Sequence, residues 1–238
     1  MMNSSAPSRL IFIAALHREI AAFTAGWKTD SNVLRRGIHL CWNDQAVVAC
    51  AGMGARRAAL AVEAALALGE ATALISVGWA GACDPSLGIG EIVRADTVID
   101  ARTGERFFSP HSAANESGQG TLVTVAAPAG IIEKKRLRAS YNAVAVDMEA
   151  ATVARMARIR DVPFYAIKAI SDDADFELPE MQRFTSATGQ FREAAFALHL
   201  ALRPRLWRPV MTMARGSKLA AERLHIAMRA FLESKEST

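Results

Sequence analysis

Ala143–Asp175 reads AVAVDMEAATVARMARIRDVPFYAIKAISDDAD. The apolar run Val144-Ala145-Val146 passes into Asp147-Met148-Glu149. A helix-patterned segment follows from Ala150 to Arg160 and ends at Asp161, ahead of Pro163. Phe164–Ile170 is then a run of the buried-strand kind, apolar but for Lys168, and closed by Ser171-Asp172-Asp173-Ala174-Asp175. Acidic side chains thus stand at the ends of two apolar runs with a helix between them. In an open parallel α/β sheet, ligands bind outside the carboxyl ends of the strands, so the two acid clusters are expected to face one pocket. The plainer reading of any one of these residues is a helix cap, a common use of Asp and Ser after a strand.

Outward from this stretch the same alternation continues. Arg9–Ala15 reads as a first strand, with a helix opening at His17–Ala25. Ile38–Trp42 and Gln45–Cys50 read as strands joined by Asn43-Asp44, and Ala55–Leu68 as an alanine-rich helix closed by Gly69. Ala73–Val77, Gly88–Val93 with Ala95–Asp100, and Thr121–Ala126 read as further strands, Arg102–Gly120 as a loop, and Ile131–Arg138 as a short helix. A last body helix is expected around Ser186–Leu202. Strands alternating with helices imply an α/β fold with a mixed, partly parallel sheet covered on both faces.

The 238 residues are enough for one large α/β domain, and 51% hydrophobic with 22% charged residues is ordinary for a globular enzyme. Cys41, Cys50 and Cys83 show no C-x-x-C spacing, which argues against a disulfide framework or a zinc site and fits a cytoplasmic protein. The apolar run Leu10–Leu16 is followed by His17-Arg18-Glu19 and lacks the usual charged n-region and a clear cleavage site, so a signal peptide is not expected, and no stretch reaches the roughly 18 apolar residues of a membrane span. The net charge of +4 is uneven: Ala201–Thr238 holds eight Lys/Arg against three Asp/Glu. The expected division is a catalytic domain at 9–202 and a basic amphipathic extension at 203–238. In that extension Met213, Ala220, Leu224, Ala227, Met228 and Phe231 fall on one helical face. Such a face packs on its own protein or a dimer mate, or, with the basic residues and Trp207, lies on an anionic membrane. A nucleic-acid-binding domain is not expected.

The pattern D-M-E-A, a helix, then V-P-F-x-x-I-K-A-I-S-D-x-A-D resembles the purine nucleoside phosphorylase/uridine phosphorylase superfamily over about Leu10–Ala201. Its nearest branch is similar to the 5′-methylthioadenosine/S-adenosylhomocysteine nucleosidases. The resemblance implies a three-layer α/β/α sandwich, a homodimer, and cleavage of the N-glycosidic bond of a nucleoside without metal or cofactor. By the same resemblance Asp172 is the general acid that protonates N7 of the leaving base. Glu19 orients and deprotonates the attacking water. Glu149 accepts hydrogen bonds from the ribose hydroxyls, with Met148 against the sugar. Gly78-Trp79-Ala80-Gly81 resembles the segment lining sugar and base, and Gly52-Met53-Gly54 the turn beside the water or phosphate site. Asp147 and Ser171 complete the expected substrate-binding set, with local capping as the alternative for Asp147. As a bare sequence, neither glycine segment fits the dinucleotide fingerprint G-x-G-x-x-G.

Water rather than phosphate is the expected nucleophile. A phosphate dianion needs fixed cationic donors. The resemblance places Ser76 where the phosphorylase branches carry an Arg, and Trp79 near their small hydroxyl residue; Arg18 and Arg56 could supply the charge instead. By the resemblance, Ala126-Ala127-Pro128 stands where the methylthioadenosine nucleosidases carry the aromatic residue that stacks on adenine, so Phe107, Phe108, Phe176 and Phe184 are the candidate apolar walls. The short middle region and basic tail are similar to the hopanoid-associated phosphorylase (adenosylhopane nucleosidase) branch. That likeness implies adenosylhopane as substrate and a site of action at the inner face of the membrane. Methylthioadenosine/adenosylhomocysteine hydrolysis, phosphorolysis, and a non-catalytic nucleoside-binding protein are the alternatives.

Overall fold

A computed structural model describes residues 9–110, 119–177 and 207–236. The segment expected as the last body helix, and the boundary between 202 and 203, lie outside the described residues. The chain order is β1 (Arg9–Ala14), α1 (His17–Ile20), β2 (Lys28–Thr29), α2 (Ser31–Leu34), β3 (His39–Trp42) and β4 (Ala46–Cys50). Next come α3 (Ala55–Leu66), β5 (Ala71–Ala82), β6 (Ile92–Asp100), β7 (Arg106–Phe108) and β8 (Gln119–Thr124). The described chain ends with α4 (Ile131–Tyr141), β9 (Ala143–Asp147), α5 (Ala150–Ile159), β10 (Phe164–Asp172) and α6 (Trp207–Glu236).

β5 is the centre. It pairs in parallel with β1 on one side and with β10 on the other, and β1 pairs in parallel with β4. β3 and β2 continue that wing antiparallel. On the β10 side, β6 is antiparallel to β10 and parallel to β8, which is parallel to β9. β9 then returns to β5 through Gly81↔Val146 and Ala82↔Ala145, so β5-β10-β6-β8-β9 closes into a ring. The expected mixed, partly parallel sheet is the one observed. Every residue of β1 and β4 is buried, as continuous apolar strands covered on both faces must be.

Two corrections concern element bounds. The helix expected at His17–Ala25 is regular only over His17–Ile20. The strand expected at Ala73–Val77 runs on to Ala82, so Gly78-Trp79-Ala80-Gly81 is strand rather than turn. Glycine and alanine have weak strand propensity, but ladders on both edges hold this part of β5: Lys168↔Gly78, Ile170↔Ala80 and Asp172↔Gly81 from β10, and Gly81↔Val146 from β9. A third concerns the expected loop, within which Arg106–Phe108 forms β7 against β6.

Helices cover both faces. α3 buries Ala58, Ala61, Val62 and Ala65, and α5 buries Ala150, Ala151, Val153, Ala154 and Ala157; these small residues let the two helices sit close to the sheet. α6 covers the opposite face. Its stripe of Ala220, Leu224, Ala227 and Met228 joins Phe12, Ile75, Ile167 and Ala169 in one core cluster. Full burial of a leucine side chain stabilises by about 1.5–3 kcal/mol, so Leu224 alone ties the tail firmly to the body. This overturns the membrane reading of the stripe, since the face that would enter a bilayer is already covered by the sheet. The side chains of Trp207 and Met213 lie outside the described residues, and no described helix is long and apolar enough to cross a membrane.

Candidate active site

Glu19 follows β1 by one short turn, and its carboxylate folds back onto the backbone that precedes it. Oε2 accepts from Ala15 N at 3.0 Å and Leu16 N at 2.9 Å, and Oε1 accepts from Trp79 N at 3.3 Å. The approach to β5 requires a glycine: a Cβ on Gly78 would lie 3.0 Å from Glu19 Oε2, and its φ of +132° is one that side chains rarely adopt. Burial pushes the Glu19 carboxyl upward, opposed first by the Leu16 N–H and then by the charge of Lys168. A buried carboxylate with three fixed donors and a raised affinity for protons is suited to take a proton from water.

Glu149 begins α5 at the end of β9, and its Oε1 accepts from Gly54 N at 2.6 Å. This bond joins the Gly52-Met53-Gly54 turn to the acid cluster. Asp147 does something else. Its Oδ1 accepts from Thr124 Oγ1 at 2.6 Å, and its Oδ2 accepts from Ala150 N at 2.8 Å and lies 2.9 Å from Lys168 Nζ. Both oxygens are used inside the protein, so the expected substrate contact is corrected: Asp147 caps α5 and pairs with Lys168. Lys168 itself is 1% exposed and spends its other hydrogens on Ser76 Oγ at 3.0 Å and the Val77 carbonyl at 3.3 Å. That accounts for all three of its donors.

Three carboxylates, Asp147, Glu149 and Glu19, therefore share the field of one buried ammonium. Burial works against the Lys168 charge, but Asp147 and then Glu149 outweigh it and hold the ammonium above its ordinary range. Glu149 is left under-compensated. Burial first, and the neighbouring Asp147 second, push its carboxyl from 4.5 to about 7. The folded chain thus holds this proton up to near neutrality, whereas the unfolded chain releases it near 4.5, and stability falls as pH rises between those values. Glu149→Gln keeps an acceptor for Gly54 N and removes the charge. We expect the variant to gain on the order of 3 kcal/mol over wild type at pH 8 and almost nothing at pH 4.5. Urea unfolding at the two pH values checks this; an equal difference at both would show that the buried charge is not its cause.

Asp172 ends β10. Ser171 Oγ lies 2.7 Å from Asp172 Oδ1 and 3.3 Å from the Ala80 carbonyl. The other oxygen has a partner that sequence reasoning missed: Lys134 of α4 donates to Asp172 Oδ2 at 2.5 Å and to the Asp173 carbonyl at 2.6 Å. Lys134 is 1% exposed. The clue is in its spacing, since it occupies the inward row Ile131-Lys134-Leu137 where a third apolar residue belongs. Gly81 again allows the close approach, because a Cβ there would lie 2.9 Å from Asp172 Oδ2 and 3.0 Å from Lys134 Cε.

β5 forms the floor between the two ends of the site. Glu19 meets it at Gly78 and Trp79 and Asp172 at Gly81, about 10 Å apart along a strand rising about 3.3 Å per residue. Met53, Met148 and Trp79 are half-buried and Ala80 is buried. The Arg18 guanidinium stacks on the Trp79 ring at 4.9 Å, and Arg56 is exposed. Of the expected apolar walls, Phe107 is packed in the core, Phe108 is 71% exposed, and Phe176 is half-buried; Phe184 lies outside the described residues.

A family model described as the phosphorylase superfamily matches residues 10–129 and 116–202. The chain belongs to that superfamily. Among curated proteins it is similar to the 5′-methylthioadenosine/S-adenosylhomocysteine nucleosidase of Marinomonas sp. (strain MWYL1), with 28% identity over 204 residues covering 71% of this chain and 87% of the relative. The nucleosidase of the same description from Baumannia cicadellinicola is 24% identical, over 68% of this chain and 82% of its own. The fold matches a solved Helicobacter pylori 5′-methylthioadenosine/S-adenosylhomocysteine nucleosidase with a TM-score of 0.70 at 15% identity, covering 97% of this chain and 100% of the other. The futalosine hydrolase of the same species matches with a TM-score of 0.68 at 15% identity, over 96% and 98%. The superfamily model spans both halves of the site, from Glu19 to Asp172.

Proposed function

We propose that the protein is a nucleosidase that hydrolyses the N-glycosidic bond of a 5′-substituted adenosine. The observation that carries the reading is the placing of Glu19 and Asp172 at opposite ends of one glycine-bearing segment of β5, with Glu149 between layers beside Gly54. In the reaction the C1′–N9 bond breaks and its electron pair passes into the purine. Asp172 gives a proton to N7. Water adds its oxygen to C1′ and loses a proton to Glu19. Glu149 accepts hydrogen bonds from the ribose hydroxyls. The curated relatives are named for methylthioadenosine and adenosylhomocysteine cleavage, which supports this substrate class.

Two observations favour water over phosphate. The first is that Lys168, the buried cation of the site, has its hydrogens committed to Asp147, Ser76 and the Val77 carbonyl. The second is that Ser76, where the resemblance puts the phosphorylases' Arg, is itself one of those partners. A dianion needs donors that are free to meet it. The size of the 5′ group is the finer question. With the α6 stripe buried, the argument for a membrane-borne substrate such as adenosylhopane loses its main support, and a small 5′ thioether becomes the favoured reading. Comparing kcat/KM for 5′-methylthioadenosine, S-adenosylhomocysteine and a long-chain 5′-alkyl adenosine tests it. We expect the methylthio compound to lead; a preference of 10-fold or more for the long-chain compound would restore the lipid reading.

A further inference from the structure

A general acid at the base end of the site needs a proton to give. Asp172 is bonded instead to an ammonium: Lys134 Nζ lies 2.5 Å from Oδ2 in a position 1% exposed. Nothing in the proposed reaction so far uses Lys134. Burying a lysine is costly unless its charge is met, and it is met here by the Asp172 carboxylate, which is 12% exposed. Moving one proton across this contact turns a buried ion pair into a neutral amine and a neutral carboxyl without moving net charge into or out of the protein.

We propose that Lys134 is a positioning residue for Asp172 and also the source of the proton that Asp172 delivers to N7. The inference rests on the nucleosidase reading. Its balance is simple. As the C1′–N9 bond breaks, the purine gains an electron pair and N7 takes a proton from the Asp172 carboxyl. One proton passes from Lys134 Nζ to Asp172 Oδ2. The pair ends as an amine and a carboxylate and recovers its proton from solvent once adenine has left. The Asp173 carbonyl, 2.6 Å from Nζ, and the space left by Gly81 keep the ammonium in line with Oδ2 throughout. α4 packs on β8 and β9, with Leu137 in the core beside Val123 and Val146, so the lysine projects from a fixed support.

The test separates delivery of a proton from support of the fold. Lys134→Gln and Lys134→Arg are assayed on 5′-methylthioadenosine and on 4-nitrophenyl 5-methylthio-β-D-riboside, whose leaving group departs without protonation. We expect Lys134→Gln to lower kcat for methylthioadenosine by about 10²-fold, the low end of lost acid catalysis, with KM changed less than about threefold. Cleavage of the nitrophenyl riboside should stay within about threefold of wild type. Arginine keeps the charge but does not release its proton, so Lys134→Arg should share this pattern and serves if the glutamine variant fails to fold. Equal losses on both substrates would make Lys134 merely structural, and a fully active Lys134→Arg would overturn the proton-source role. Near-wild-type turnover of methylthioadenosine by Lys134→Gln would make it a bystander. Wild-type protein silent on both substrates would sink the nucleosidase reading itself, and the Lys134 role with it.

Discussion

Asp172→Asn is expected to lower kcat for 5′-methylthioadenosine by about 10²- to 10⁴-fold while KM stays within a few-fold. The asparagine carbonyl can still accept from Lys134, but the buried ammonium loses its counter-charge, so the variant is expected to be less stable and its fold is checked by thermal melting before the kinetics are read. What disappears is an acid at the base end of β5. The nitrophenyl riboside should escape the loss, as it does when Lys134 is changed. Removing both residues should cost no more than the worse single change, because each acts on the same proton. Steady-state kinetics on the two substrates decides it, and an Asp172→Asn variant within 10-fold of wild type on methylthioadenosine would remove Asp172 from the mechanism.

Glu19→Gln should be as damaging, and in a different way. The carboxylate has three N–H donors: two on Oε2 and the Trp79 N–H on Oε1. A glutamine can place its oxygen at the doubly bonded position, which leaves its NH2 facing the Trp79 N–H. The fold should tolerate this, but the water loses its base. We expect a loss of about 10²- to 10⁴-fold on methylthioadenosine and an equal loss on the nitrophenyl riboside, since the nucleophile is common to both. Because burial raises the Glu19 carboxyl, activity of the wild type should fall on the acid side at a pH above the ordinary carboxylate range. Retained nitrophenyl riboside turnover in Glu19→Gln would mean that the water is activated elsewhere.

The two residues differ in how openly the sequence shows them. Asp172 closes a strand that is apolar except at Lys168, and Glu149 stands at a strand-to-helix junction; both positions follow from patterning and are where β10 and α5 put them. Glu19 is visible as an acid after β1, but the Trp79 N–H that completes its cage comes from 60 residues away, and only pairing of β1 with β5 brings it near. Lys134 and Lys168 escape notice for a common reason. A lysine inside an apolar row reads as a break in the pattern until its partner is known, and here the partners are 38 and 21 residues distant. The α6 stripe fails in the opposite direction: its period predicts a one-sided helix correctly, but periodicity does not say whether a sheet or a bilayer covers that side. Gly78-Trp79-Ala80-Gly81 reads as a turn because propensity is local, whereas the ladders that extend β5 through it are not.

The central claim is hydrolysis by a base at Glu19 and an acid at Asp172, with no phosphate in the reaction. Its most direct test is to incubate the protein with 5′-methylthioadenosine in phosphate-free buffer and identify both products. The account predicts adenine together with free 5-methylthioribose, at a rate unchanged when phosphate is added. Dependence on phosphate, with 5-methylthioribose 1-phosphate as the sugar product, would contradict it.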